Sequence, residues 1–296
     1  ADLNLGPEIL KRNIDAYRRC RNTLRYLLGA LAGFDPRERV EPADMPELER
    51  WVLHRLAEID AVVREATQQY DFHAAFTALH NFCAVDLSAF YFDVRKDSLY
   101  CDLPSAPTRR AARSVLDEVF ECLVRWLAPV LCFTAEEAWL SRHGDMPESS
   151  VHLAQYRDIP ASWLDEALAA KWRRIRELRR VVTGAIELER AQKRLGSSLQ
   201  AAVEIFADAA SLTALDGVDL PEICITSAVR LSAAAAPEGS FALPDVPGIG
   251  VRVSQAPGEK CQRCWKVLPE VGDSDAHPDL CGRCAAAVDA LAAAGH

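Results

Sequence analysis

The chain has 296 residues, of which 50% are hydrophobic and 26% are charged, and its formal net charge at pH 7 is −9. This length is enough for two or three packed units. The sequence has no apolar run of membrane-spanning length, which excludes a transmembrane protein and favours a cytoplasmic one. An acidic balance also disfavours a nucleic-acid partner, unless the charge is segregated along the chain. The sequence begins Ala-Asp-Leu without an initiator methionine, so we expect a piece of a longer protein.

The first 140 residues carry apolar side chains at the spacing of amphipathic helices, which predicts a helical bundle over 1–160. The second helix is expected to start near Pro46, where Asp44 and Glu47 have capping-box spacing. The third is expected to start after Asp71, a good N-cap residue. The five predicted helices cover residues 8–32, 46–63, 72–94, 106–127 and 129–140.

A loop over 143–159 and a long helix over 163–194 follow, and the glycine and serines at 196–198 are expected to end that helix. Between Lys171 and Arg194 there are nine Lys or Arg residues against three Glu, a local balance of +6. We assign 161–198 to this basic helix and its junction, and we expect its arginines to meet phosphate.

Residues 199–255 change to the two-residue period of strands, which predicts a small α/β unit. Residues 201–250 contain seven acidic residues and one arginine, a balance of −6, so we expect a spacer and not the main nucleic-acid contact. One helix is predicted over 209–215. Alternating apolar pairs predict four strands, at Val203 and Ile205, Ile223 and Ile225, Val229 and Leu231, and Val251 and Val253.

Two C-x-x-C pairs lie near the end of the chain, with sixteen residues between them: Cys261, Cys264, Cys281 and Cys284. This spacing is typical of a four-thiolate zinc site, and we predict that residues 256–296 form a structural zinc module. Two disulfides are the alternative, but a large chain with six other dispersed cysteines and no signal peptide is typical of a reducing compartment. The expected fold class is mainly α: a helical bundle, then a small α/β unit, then the zinc module.

Polar side chains on the first predicted helix have the chemistry of a nucleic-acid contact. Arg18, Arg21 and Arg25 lie at helical steps of three and four, beside Asn22 and Tyr26. Guanidinium, amide and aromatic groups suit phosphates and unstacked bases, although a solvated charged face is the alternative.

The first cysteine pair also carries Arg263 and Trp265, which could stack on an unpaired base. For Trp265 the alternative is a residue that caps the small core. The sequence has no phosphate-binding loop, dinucleotide fingerprint or Gly-x-Ser-x-Gly elbow, and four thiolates leave a zinc ion no open position. We therefore expect no catalytic centre in this chain.

In their order along the chain, these motifs resemble the C-terminal part of the bacterial isoleucyl-tRNA synthetases over essentially the whole sequence. The terminal zinc module separates this family from the related valyl and leucyl enzymes, which share the helical bundle. The segments that carry the resemblance are 9–12, 17–29, 70–73, 79–82, 86–91, 96–101, 127–129, 133–137 with Trp139, 195–199, 260–265 and 281–284.

The resemblance implies an anticodon-binding domain and a zinc-binding tail. Enzymes of this family activate isoleucine with ATP and charge its tRNA, but their ATP-binding motifs and editing domain are absent from this sequence. The implied cofactor is one structural zinc, and ATP would bind only in the absent catalytic domain. The implied partners are the anticodon loop of an isoleucine tRNA and the remainder of the synthetase in the same polypeptide, as a monomer.

By the same resemblance, the tRNA contacts are Arg21, Asn22, Arg25, Tyr26, Arg263 and Trp265, and Arg18 shares the helix face of the first of them. Two alternatives stay open. One is a zinc-stapled protein-interaction or structural module, and the other is the same region of another class I synthetase.

Overall fold

The computed structural model describes residues 6–144, 146 and 148–293, with only the backbone at Ala210. The outer ends of the first and last predicted parts, 1–5 and 294–296, lie outside these residues. The chain divides into two compact units. Unit 1 comprises the described residues up to Leu99 and Pro104–Asp165, and unit 2 comprises Tyr100–Leu103 and the described residues from Glu166 onward. The finer division at 160, 198 and 255 stays a prediction.

Unit 1 is the helical bundle that the apolar spacing predicts. A π-helical stretch, Phe82–Tyr91, joins the third helix to the fourth without a break. Its helices are α1 (Pro7–Ala30), α2 (Glu47–Gln68), α3 (Phe72–Asn81), α4 (Phe92–Cys101, whose last residues belong to unit 2), α5 (Pro107–Leu127) and α6 (Cys132–His143).

Helix α5 lies at the centre of unit 1, because nearly every residue from Ala111 to Leu127 is buried. It packs against α1, α2 and α6. Apolar side chains from these helices fill the space around it, including Leu24, Leu56 and Phe120, each at most 1% exposed. Burial of such side chains contributes roughly 1.5–3 kcal/mol each, so the bundle holds α1 and α6 in fixed places.

The starts of two helices test the predicted caps. Asp71 is confirmed as the N-cap of α3, since its Oδ1 accepts a hydrogen bond from the Ala74 N–H at 3.0 Å. The predicted capping box of Asp44 and Glu47 is wrong. Asp44 belongs to a separate 3₁₀ turn (Pro42–Asp44), and Pro46 is the N-cap of α2 without a side-chain hydrogen bond. The proline at the boundary holds the preceding residue extended, which separates Asp44 from the helix.

A buried ion pair joins α2 to α4 inside unit 1. Arg95 donates from Nε to Glu49 Oε1 and from Nη2 to Glu49 Oε2, each at 2.6 Å. The Tyr91 hydroxyl donates to the same carboxylate at 3.0 Å. The Glu49 side chain is fully buried, and that of Arg95 is 4% exposed. Burial raises the pKa of Tyr91 well above its ordinary value, so the hydroxyl keeps its proton and stays a donor.

Unit 2 begins with the long helix α7 (Glu166–Ala191). It packs on a three-stranded sheet of order β2-β1-β3, formed by β1 (Ala201–Ala207), β2 (Ala228–Ser232) and β3 (Ile249–Gln255). Strand β1 is parallel to β2 and antiparallel to β3, with Val203 opposite Val229 and Val253. Two short helices, α8 (Ala209–Ala214) and α9 (Leu220–Cys224), lie between β1 and β2 in sequence.

Two predictions in this unit differ from the structure. The predicted strand at Ile223 and Ile225 is wrong, because Asp219 caps a helix there: its Oδ1 accepts from the Glu222 N–H at 3.0 Å. Pro221 in the first turn favours the same helix, and Ile225 ends it in a left-handed conformation (φ 55°). Helix α7 is also shorter than the predicted 163–194, with Lys193 left-handed beyond its end.

The fold class is therefore mainly α, as predicted, with a small α/β unit and a cluster of four cysteines. Within the described residues, no helix combines the length and the apolar character needed to cross a membrane.

Candidate metal centre and nucleic-acid interface

The four predicted zinc ligands come together in unit 2. The sulfurs of Cys261, Cys264, Cys281 and Cys284 all lie within 4.8 Å of one another, and all four residues are buried. All ten cysteines of the chain are described and are free thiols, so no disulfide joins the two pairs. The arrangement has the donor set of a tetrahedral thiolate site.

Local structure explains why the two pairs can face one point. The first pair lies in the turn between β4 (Glu259–Lys260) and β5 (Val267–Leu268), which pair antiparallel. The second pair begins α10 (Gly282–Ala293), with Cys281 just before the helix and Cys284 in its first turn. Gly258 precedes β4 with φ +106°, and a Cβ there would stand 2.3 Å from the Leu268 backbone. Only glycine allows the two strands to approach this closely.

Backbone N–H groups surround the Cys261 sulfur. The Cys281 N–H donates to it at 3.3 Å, and those of Arg263 and Cys264 also point to it. Burial opposes charge on this thiol, but the N–H groups outweigh burial and lower the pKa of Cys261 to about 6. Burial raises the pKa of Cys284 to about 11. A bound dication would let all four sulfurs carry charge together.

One separation between two of the sulfurs matches the geometry of a zinc site. A Zn–S bond of about 2.3 Å places the corners of a tetrahedron about 3.8 Å apart. The Sγ atoms of Cys264 and Cys281 are 3.8 Å apart. Four buried thiols grouped in this way are typical of a binding site for a soft or borderline metal ion.

Trp265 follows the first pair and is 60% exposed, with a left-handed backbone (φ 67°). This conformation is unusual for a residue with a large side chain. The Lys260 ammonium lies 5.3 Å from the ring centroid. The structure thus presents an exposed aromatic surface with a cation beside it, and the role of Trp265 stays a prediction.

The arginines of the two pairs have partners inside unit 2. Arg263 Nη1 donates to the carbonyl oxygen of Cys101 and lies 3.9 Å from the Cys284 sulfur. Arg283 Nη1 lies 3.1 Å from Asp102 Oδ1. Both side chains are therefore directed to residues 100–103 of the same unit.

The predicted arginine face is present on α1 in unit 1. Arg18, Arg21, Asn22 and Arg25 are exposed. Arg18 and Arg21 have distant carboxylate neighbours, 3.9 Å from Asp15 and 4.0 Å from Glu137. Exposed pairs at that distance contribute little, so they leave the guanidinium groups available to phosphate.

A groove of about 290 Å³ lies between α1 and α6 beside these arginines. Arg21 and Arg25 line one side, and Thr134 and Ser141 line the other. The Tyr17 hydroxyl is 3.1 Å from the Thr134 hydroxyl and joins the two helices. Tyr26 differs from its neighbours on the face, because its half-buried ring stacks on Phe92 with centroids 4.2 Å apart.

The basic helix α7 uses several arginines within unit 2. Arg179 donates to the Ile223 carbonyl at 2.8 Å, and Arg180 pairs with Asp245 at 2.5 Å. Arg174 binds the Ser211 hydroxyl at 2.7 Å. One of these contacts, Arg180 with Asp245, is an ion pair between the basic stretch and the acidic stretch that follows it. These three arginines have partners within unit 2, and phosphate contact by arginines of this helix stays a prediction.

Comparison with protein families identifies the domain. The model of the "Anticodon-binding domain of tRNA ligase" matches residues 49–205, more than half of the chain. The chain belongs to this anticodon-binding family. A second model, "Zinc finger found in FPG and IleRS", matches residues 258–287 and includes all four clustered cysteines.

Relatives of this anticodon-binding chain carry the name isoleucine–tRNA ligase. This chain is 52% identical over 296 residues to the enzyme of Brucella abortus biovar 1, 52% identical over 293 residues to that of Agrobacterium fabrum, and 48% identical over 296 residues to that of Bartonella henselae. Each match covers 99% of this chain and 30% of the relative, so the chain spans less than a third of these relatives' length. The arginine face of α1 precedes the family match, and the matches to these relatives extend over it.

Some residues of the anticodon-binding family member acquire a role only in three dimensions. Ser227 accepts a hydrogen bond from the Val267 N–H at 2.7 Å and ties the sheet to the first cysteine pair. Cys101 was one of the six dispersed cysteines in the sequence, yet it packs in the same buried cluster as the four ligands.

Proposed function

We propose that this chain is the tRNA-recognition part of an isoleucine–tRNA ligase and that it holds the anticodon stem-loop of an isoleucine tRNA. The observation that carries the proposal is the exposed arginine face of α1 in a chain that is about half identical to isoleucine–tRNA ligases along its full length. Activation of isoleucine with ATP would take place in the part of such an enzyme that this chain does not cover. We further propose a cytoplasmic, monomeric parent enzyme.

Two groups of residues would make the RNA contact. Arg18, Arg21, Asn22 and Arg25 would bind phosphates and base edges beside the α1–α6 groove. Trp265 would stack on an unpaired base, with Lys260 supplying positive charge next to it. Tyr26 and Arg263 belong to the same proposed sites, and their internal contacts support a role in shaping these surfaces.

We propose one structural zinc ion, held by Cys261, Cys264, Cys281 and Cys284. When bound, zinc would supply the cross-link that stabilises this part of unit 2. The Cys281 N–H and the arginines within the two cysteine pairs, Arg263 and Arg283, would keep the thiolates oriented. The left-handed turn would then present Trp265 to RNA.

Binding of two transcripts tests the function. We expect the chain to bind an isoleucine tRNA transcript more tightly than a copy with a changed anticodon, and to lose affinity as salt rises because phosphate contacts release counterions. The measurement is a titration of each transcript at two salt concentrations. Equal binding to both transcripts would reduce the proposal to general RNA affinity. No binding, with zinc bound, would favour a protein-interaction module.

The Trp265→Ala variant tests the aromatic contact. We expect tRNA binding to weaken by about 1–3 kcal/mol, the usual cost of losing one stacked base. Trp265→Phe keeps an aromatic face and should retain most of the affinity. Zinc content of both variants serves as the folding control, and wild-type affinity in a zinc-loaded Trp265→Ala protein would remove this residue from the interface.

A further inference from the structure

The two cysteine pairs share a feature that four-thiolate chemistry does not require. Their sequences are Cys-Gln-Arg-Cys and Cys-Gly-Arg-Cys, so an arginine precedes the second cysteine in both. Both side chains bind the same short segment, residues 100–103: Arg263 reaches the Cys101 carbonyl, and Arg283 reaches the Asp102 carboxylate at 3.1 Å. We name these contacts the arginine latch (Arg263 and Arg283 with residues 100–103).

Cys101 completes the latch from the other side. Its thiol donates to the Arg263 carbonyl oxygen at 3.6 Å, while the Arg263 guanidinium donates to the Cys101 carbonyl. Each of the two residues therefore donates a hydrogen bond to the backbone carbonyl of the other. Cys101 is 6% exposed and packs among the four clustered cysteines with Val271. The segment therefore forms one wall of the metal centre, although it is separated from Arg263 by 162 positions.

Charge neutralisation alone does not account for this arrangement. A zinc ion with four thiolates carries about two net negative charges, and nearby cations stabilise it. Lys260 and Lys266 lie as close in sequence to the first pair as Arg263 does, and they could supply the same charge. The two arginines differ from these lysines because each reaches residues 100–103, and the planar guanidinium of Arg263 offers several donors in fixed directions, toward a thiol as well as toward that segment. Arg263 Nη1 does both, with the Cys284 sulfur 3.9 Å away.

We propose that Arg263 and Arg283 are positioning residues through which the metal centre holds residues 100–103 in place. The proposal rests on the zinc site proposed above. Residues 100–103, which we call the connector, comprise the last two residues of α4 and the two that follow, and they belong to unit 2. Loading of the metal would therefore fix this segment of the unit. Loss of the metal, or of the two arginines, would release the connector and expose Cys101.

Alkylation of Cys101 tests the latch in the full 296-residue chain. Peptide mass spectrometry would follow the iodoacetamide reaction of Cys101 in zinc-loaded protein, with the exposed Cys132 as an internal reference. We expect R263A/R283A to react about tenfold faster at Cys101 than wild type, the effect of losing charge-assisted hydrogen bonds. The matched variant K260A/K266A removes the same charge from the module and should react at the wild-type rate.

Zinc content separates the possible failures. A wild-type chain that binds no zinc would overturn the metal site itself. An R263A/R283A protein with one zinc per chain and wild-type protection of Cys101 would overturn the latch alone, as would equal acceleration in K260A/K266A. If R263A/R283A does not load zinc, the alkylation rate of Cys101 in the D102A variant tests the latch instead, because D102A leaves both cysteine pairs unchanged. Faster alkylation in zinc-loaded D102A would support the latch, and a wild-type rate would overturn it.

Discussion

Replacement of Cys264 by serine is expected to unfold residues 258–293 and to abolish zinc binding. The buried cluster of this region consists of five cysteines and Val271, with Leu268 and Leu280 packed against it. Such a core is too small to order the segment by burial alone. Structural zinc typically contributes on the order of 10 kcal/mol or more at neutral pH, so loss of one ligand removes the dominant stabilising interaction.

Hydrogen exchange and metal analysis would measure this effect. Peptides from 258–293 should exchange rapidly in the Cys264→Ser protein, and zinc per chain should fall from one to near zero. Cys132→Ser is the matched control, because Cys132 is exposed and lies outside the cluster. A Cys264→Ser protein that keeps one zinc and slow exchange would contradict the assignment of Cys264 as a ligand.

Truncation of Arg95 should strongly destabilise unit 1. The Arg95→Ala variant would leave the Glu49 carboxylate buried without its cation, which typically costs about 3–5 kcal/mol of folding free energy. The 2.6 Å contacts and the near-complete burial of both side chains place this pair at the severe end of the scale. Urea denaturation, followed by helical circular dichroism, would measure the change.

The neighbouring residue supplies the control for this prediction. Lys96 pairs with Asp93 at 2.9 Å, but its side chain is 53% exposed. Lys96→Ala should therefore change the unfolding free energy by less than about 1 kcal/mol. A double Glu49→Gln, Arg95→Met protein should recover much of the lost stability, because no buried charge is left unpaired. Equal effects of the two alanine variants would show that burial of the Arg95 pair does not matter.

Local signals predicted the helices of unit 1 well. The apolar spacing gave α1, α2 and α5 to within a few residues, and Asp71 identified the start of α3. The same kind of signal failed where two patterns competed. Ile223 and Ile225 alternate like a strand, but the Asp219 cap and Pro221 favour a helix, and the helix signals win.

At the metal centre, the spacing of residues in the sequence predicts one part of the site and not the other. The spacing of two C-x-x-C pairs predicts that the four sulfurs lie close together, because each pair is a single turn. Cys101 carries no such signal, since its neighbour Arg263 is 162 positions away and only the folded chain brings them together. The contacts of Arg174, Arg179 and Arg180 within unit 2 were equally hidden, because a local charge balance does not reveal which arginines already have partners.

The discontinuity of unit 2 has a consequence for the order in which the protein is made. Residues 100–103 leave the ribosome 162 positions before Arg263. At about 5–20 residues per second, that interval lasts roughly 8–30 seconds, long enough for the helices on either side to form. During synthesis the connector must therefore wait without Arg263 and Arg283, and it gains these partners only when the last cysteine pair has been made.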